Sequence, residues 1–145
     1  MEQLFIQASN RLQAQVSELR MIDFNYGQLD VLDQDMVPAV VMPCALIDIT
    51  YTRTEDIGDM QQQVDARIGV RLAFRMPFPT DNLTTAQRRQ KALDLMKVVR
   101  KVYKCLQGWG TVDFSSFSRV RQSTLNRYPG VKVVDIEFAT TFIDL

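Results

Sequence analysis

The 145 residues include no histidine, so the commonest general base and the commonest transition-metal ligand are both missing. Imidazole-based triads and histidine zinc sites are thereby excluded. The two cysteines, Cys44 and Cys105, lie far apart and show no CxxC or metal-ligand spacing, which reads as buried free thiols rather than a disulfide or a nucleophile. No Gly-x-Ser-x-Gly, P-loop or Gly-x-Gly-x-x-Gly occurs. Asp135 and Glu137 resemble the acidic pair of metal-dependent nucleases, but the Lys expected two residues after the Glu is replaced by Ala139. The acids Asp30, Asp33 and Asp35 weakly resemble a calcium loop, yet no Gly stands at its sharp turn and no Glu closes it. A solvated loop accounts for them better.

The remaining polar patterns point to surfaces. Arg67, Arg71 and Arg75 recur on one side of an alternating stretch, and Asp48, Asp135 and Glu137 occupy the polar sides of stretches that would neighbour it. Pairing these strands with their apolar sides buried brings the charges together as cross-strand pairs; the other reading sends the arginines to acids on another subunit. Arg88, Arg89, Lys91, Lys97, Arg100, Lys101 and Lys104 form a basic helix face, read as solvated or as a phosphate-binding surface. Trp109, between two glycines, is either a lid folded onto the core or an exposed partner anchor. Seventeen Lys and Arg balance seventeen Asp and Glu, which argues against generic nucleic-acid binding, since that needs a clustered cationic excess.

The elements that position these residues follow from periodicity. A chain of this length is sized for one domain, residues 1–145, and its 46% hydrophobic and 23% charged content is ordinary for a globular protein. Nothing approaches the roughly 18 apolar residues of a membrane span, and the N-terminus lacks a basic region followed by an apolar core, so the chain is expected to stay in the cytosol of the cell that makes it. Leu4, Phe5, Ala8, Leu12, Val16 and Leu19 form one stripe and predict a helix over Glu2 to Leu19. Asn25 to Val37 reads as an irregular connection or short strand pair.

Ala45, Ile47, Ile49 and Tyr51 alternate with polar residues as a half-buried strand does, with Pro38 and Pro43 confining its first part to an edge or bulge. Polar Arg53 to Gln63 reads as an extended hairpin whose tip projects. Val64, Ala66, Ile68, Val70, Leu72 and Phe74 then share one face of a second strand. Thr84-Thr85-Ala86-Gln87 has the form of a capping box opening a long helix that ends near Leu106, with Leu93, Met96, Val99, Val102, Tyr103 and Leu106 as its buried stripe. Arg119 to Asn126 reads as a weaker strand, joined through Tyr128-Pro129-Gly130 to an alternating strand from Val131 to the last residue. The expected fold is α+β: a mostly antiparallel sheet of about four main strands packed by two long helices, in the order α-β-β-α-β-β. Val64 to Phe74 belongs in the middle of the sheet, and Ile68, Val70, Leu72, Met96, Val99, Ile136, Phe138 and Phe142 are the expected core.

This succession of N-terminal helix, Pro-flanked strand, projecting polar hairpin, long basic helix ending Leu106-Gln107-Gly108 and closing strand VVDIEFATTFID resembles the tail terminator (tail-completion) proteins of long-tailed bacteriophages. The resemblance spans nearly the whole chain and rests on element order and size rather than a signature motif. It implies a homo-oligomer, a hexameric ring seated on the tail tube protein and presented to the head-tail connector protein, although the free chain can remain a monomer with the tail end as template. It further implies no enzymatic activity, no cofactor, no membrane and no specific nucleic-acid binding, with the protein made in the host bacterial cytoplasm and ending in the neck of the virion. The interface it implies includes the hairpin, where Arg53, Glu55, Asp56, Ile57, Asp59 and Met60 would meet a partner and a neighbour's Arg67, Arg71 and Arg75 would meet the hairpin acids. The acidic stretch Asn25 to Asp35 and the passage Pro77 to Pro79 depart from the family pattern. Another head-to-tail joining protein of similar fold, and a cellular dimeric binding module whose sheet faces a small molecule, are the alternative readings.

Overall fold

The computed structural model describes residues 1–34 and 39–145. In chain order the elements are helix α1 (Glu2–Gln15), strand β1 (Met21–Phe24), a 3-10 helix (Gln28–Gln34), strands β2 (Cys44–Gly58) and β3 (Gln61–Arg75), helix α2 (Ala86–Leu106), and strands β4 (Ser118–Leu125) and β5 (Val131–Asp144). One sheet holds all five strands in the order β1-β2-β3-β5-β4. β1 runs parallel to β2, and every other pairing is antiparallel.

β3 is central, as its strict alternation requires. Val64, Ala66, Ile68, Val70, Leu72 and Phe74 are all buried on the face that the helices cover. Across the sheet Ile68 sits between Ile49 and Phe138, and Val70 between Ile47 and Ile136, so the apolar sides of three strands merge into one surface. Leu4, Leu12 and Val16 from the N-terminal segment and Val98, Val102, Cys105 and Leu106 from α2 close over it. Phe142 and Val99 are only half-buried, at the margin of this core, and Met96 is half-buried outside it.

Three sequence expectations are corrected. The first strand of the sheet, β1, escapes periodicity because four residues are too few to show alternation; its register along Cys44–Ile47 holds it. α1 ends at Gln15, not Leu19: Val16 leaves helical geometry but remains buried. The buried side of α2 is Ala92, Val98, Val102, Cys105 and Leu106, while Leu93 is 37% exposed. Small Ala92 and Cys105, which an apolar stripe passes over, are buried, and the Cys105 thiol faces the Arg11 carbonyl of α1 at 3.7 Å. The Arg11 guanidinium donates to the Cys105 carbonyl at 2.7 Å and ties the two helices together.

The cap of α2 is also one residue late. The Thr85 hydroxyl accepts from the Arg88 N–H at 3.4 Å, and Thr84 instead joins an Asp81-centred turn. Beyond its C-terminus, Gly108 adopts φ +74° and turns the chain so that its N–H reaches the Phe117 carbonyl at 2.8 Å. Trp109 then folds back against Phe114 and Phe117, with centroids 5.1 and 5.2 Å away, and the Arg11 guanidinium lies 5.2 Å from its ring. It is a lid on the core. Gly110 is required there: a Cβ would come within 2.8 Å of the Ser116 nitrogen.

Among the described residues, the second face of the sheet is covered at one end, where Leu29, Cys44, Leu46, Ala73, Tyr128, Val131 and Val133 make a smaller core. Asp30 accepts from the Tyr128 hydroxyl at 2.8 Å, which pins the 3-10 helix to the β4–β5 turn. Asp30 of the acidic stretch thus ties two segments together; Asp35, Val37 and Pro38 lie outside the described residues. Cys44 and Cys105 are free and buried. Burial pushes the Cys44 thiol up to about 11 from 9.0 and raises Cys105 as well. A raised thiol pKa favours the protonated form in the folded chain, so this stabilisation is complete below pH 9 and is lost as pH rises from 9 through 11. Two units correspond to something on the order of 3 kcal/mol, most of it lost by pH 11. Urea titrations at pH 8 and pH 11 should show that loss in the wild type and a smaller one in Cys44→Ala.

Candidate assembly surface

The polar hairpin of the sequence reading is a continuation of the sheet. β2 and β3 stay paired to Gly58 opposite Gln61, so only Asp59 and Met60 form the turn. Residues Arg53 to Gly58 and Gln61 to Gln63, read from the sequence as an extended hairpin with a projecting tip, are paired strand almost to that tip, because backbone pairing carries through polar residues that periodicity does not flag. Bulges at Thr52 and Ile57 increase the local twist of the outer strand. The arm has an exposed Arg53–Glu55 pair at 3.3 Å and a Gln62 amide donating to Asp56 at 2.8 Å. At the tip Met60 is 93% exposed with φ +64°, a left-handed conformation usually left to Gly or Asn. Ile57 is 47% exposed. Neither apolar side chain contributes to either core, so the tip presents two hydrophobic groups and the acids Glu55, Asp56 and Asp59 to solvent.

Arg67, Arg71 and Arg75 lie far from the tip, along the face of β3 opposite the helices. Arg71 forms a fork with Asp135, Nε to Oδ1 at 2.8 Å and Nη2 to Oδ2 at 3.1 Å. These hydrogen bonds hold the guanidinium above its ordinary pKa. Arg67 reaches Glu137 at 3.5 Å. Both arginines therefore pair within their own sheet, as the cross-strand reading expects, and each half-exposed pair is worth at most about 1 kcal/mol. Arg75 is exposed and has no ion-pair partner among the described residues.

Between Arg67 and Arg71 sits Gly69, flanked by Asp48 on β2 and Glu137 on β5. Its missing side chain leaves a shallow groove of about 300 Å³ over the sheet. The Asn25 amide donates to Asp48 at 2.9 Å, and the Thr141 hydroxyl to Asp65 at 2.9 Å. Charges in the groove alternate in sign and mostly satisfy one another. The groove holds no thiol or imidazole to act as a nucleophile or base. Its polar lining is three carboxylates, two arginines and two threonine hydroxyls.

The basic face of α2 is solvated over most of its length. Lys97 pairs with Asp94 at 2.8 Å and Lys101 with Glu18, which lowers the Glu18 pKa. Among the described residues no helix is long and apolar enough to cross a membrane. Sequence reasoning did not identify β4 as a surface of interest. It is an edge strand, and the Arg119 guanidinium lies 3.8 Å from the centre of the Tyr103 ring while Arg121 projects from the polar face.

No protein-family model matches the chain, and comparison with curated proteins finds no match. Among solved structures, a chain of the virion of a native gene transfer agent (GTA) particle is similar, with a TM-score of 0.51 and 11% sequence identity. The match covers 94% of this chain and 92% of that one. At this identity the likeness establishes the fold: the chain shares its architecture over nearly its whole length with a chain of that virion.

Proposed function

We propose that this chain is a structural protein of a phage-like virion, and that it acts as a tail terminator. The observation that carries the reading is the end-to-end structural match with a virion chain, which covers 94% of this chain and 92% of that one. The surface is consistent with it. A projecting arm with unburied Ile57 and Met60 and a sheet face of alternating charges offer surfaces on which partners can dock.

In this role copies of the chain form a closed ring through a heterologous interface, the ring sits on the tail tube, and its other side meets the head connector. The chain has no enzymatic activity and takes no cofactor. Formal neutrality suits a ring through which DNA slides, because phosphates are not held. Electron microscopy of the protein mixed with purified tail tubes should show caps at tube ends. Tubes left uncapped at every concentration, with the protein bound instead to isolated heads, would assign it to another head-to-tail joint.

A further inference from the structure

Both margins of the sheet leave backbone groups without a neighbouring strand. β1 lines β2 only along Cys44–Ile47, and the Asn25 N–H extends this by one bond to the Ile47 carbonyl at 2.9 Å. From Ile49 to Gly58 no described strand lies on the outer side of β2. At the opposite margin β4 has only β5 beside it, and its one outer bond among the described residues is from the Arg119 N–H to the Gln107 side chain at 2.8 Å. Open edges of this length join other strands unless something prevents it. Here charges and bulges limit which strands can join, so the question is which pairing the charges permit.

β4 carries Arg119 and Arg121 and no acid; Ile49 to Asp59 of the β2 arm carries Glu55, Asp56 and Asp59 against the single Arg53. Two β4 edges placed together gather four arginines with no counter-charge, and two β2 arms gather six acids against two arginines. Only β2 against β4 is complementary. Direction allows it as well. Antiparallel steps from β2 to β3, β5 and β4 leave the two edge strands opposed, so a copy rotated about an axis along the strands brings its β2 antiparallel to β4. Arg121 sits opposite Glu137 and Glu55 opposite Gln63, both on the face away from the helices, so the two side chains can meet across such a junction. Arg121 has no ion-pair partner among the described residues, whereas Glu55 has the exposed Arg53 at 3.3 Å.

We propose that the β2 arm of one copy adds as a strand to β4 of the next, with Arg121 opposite Glu55, so that the sheets run continuously from subunit to subunit. This rests on the ring-forming reading above and specifies its interface. The junction joins two different edges, so it propagates head to tail and closes by rotation.

The test is a disulfide trap in the double variant Glu55→Cys, Arg121→Cys, oxidised with diamide both alone and with purified tail tubes. The native thiols are buried and serve as an internal blank. A ladder of reducible oligomers from the double variant, with neither single variant cross-linking, is the expected result. Dimers from a single variant would mean like edges pair and would overturn the proposal. No ladder, where glutaraldehyde still captures multimers of the double variant itself, would reject this junction and leave the ring intact. No multimer by either route, with or without tubes, would reject the ring as well. In parallel, Arg121→Glu should raise the concentration needed for assembly about tenfold, and adding Glu55→Arg should restore it. Failure of the swap to restore assembly would count against the pairing.

Discussion

Ile136→Asp should leave no folded protein at room temperature. Ile136 is fully buried in the main core, paired across the sheet with Val70 on one side and Gln122 on the other. The substitution removes an aliphatic group worth about 2–5 kcal/mol when truncated and adds a carboxylate with no partner in an apolar layer. Together these rival the whole stability of a domain, about 5–15 kcal/mol. Ile143→Asp is the control: it lies on the same strand, is 46% exposed, and should shift the urea midpoint by less than about 1 kcal/mol equivalent. A folded Ile136→Asp would mean that the helices cover the other face of β5.

Excision of the arm should abolish tail capping with little effect on the fold. Replacing Glu55 to Gln63 by Asn-Gly leaves Thr54 opposite Val64, a register that a two-residue turn can close. The deleted residues are exposed and none belongs to a core, so thermal unfolding should change by only a few degrees. Capping should fall below detection, because Ile57, Met60 and the three acids leave together. In the intact chain, amides of Arg53 to Gln63 should exchange quickly in the monomer and slowly in the ring, since their hydrogen bonds are solvated until a neighbour covers them. Normal capping by the excised variant would return the arm to an ordinary surface hairpin.

Both outcomes depend on residues whose roles were legible to different degrees. The alternation of Val64 to Phe74 and of the closing strand is a local property, and burying one face excludes a one-residue slip; hence the central strand and the core of Ile68, Val70, Leu72, Ile136 and Phe138 follow from the amino-acid order, while the structure decides that Arg71 and Arg67 pair with Asp135 and Glu137 of their own sheet. The absence of histidine likewise removes whole classes of chemistry whatever the fold.

What only the tertiary structure decided are features whose cause lies elsewhere in the chain. β1 exists because β2 offers it a parallel edge, and four residues carry no period of their own. The roll of α2 onto Ala92 and Cys105 depends on α1 sharing the same sheet face, which no stripe on a single helix encodes. The arm is strand because β3 pairs with β5 as far as Gln62 opposite Asp144, and backbone hydrogen bonds propagate a ladder through polar residues whose side chains have no preference for a face. The two complementary edges became visible last of all: strand order is set by contacts between distant segments, and a local pattern contains no information about which strand ends up without a neighbour.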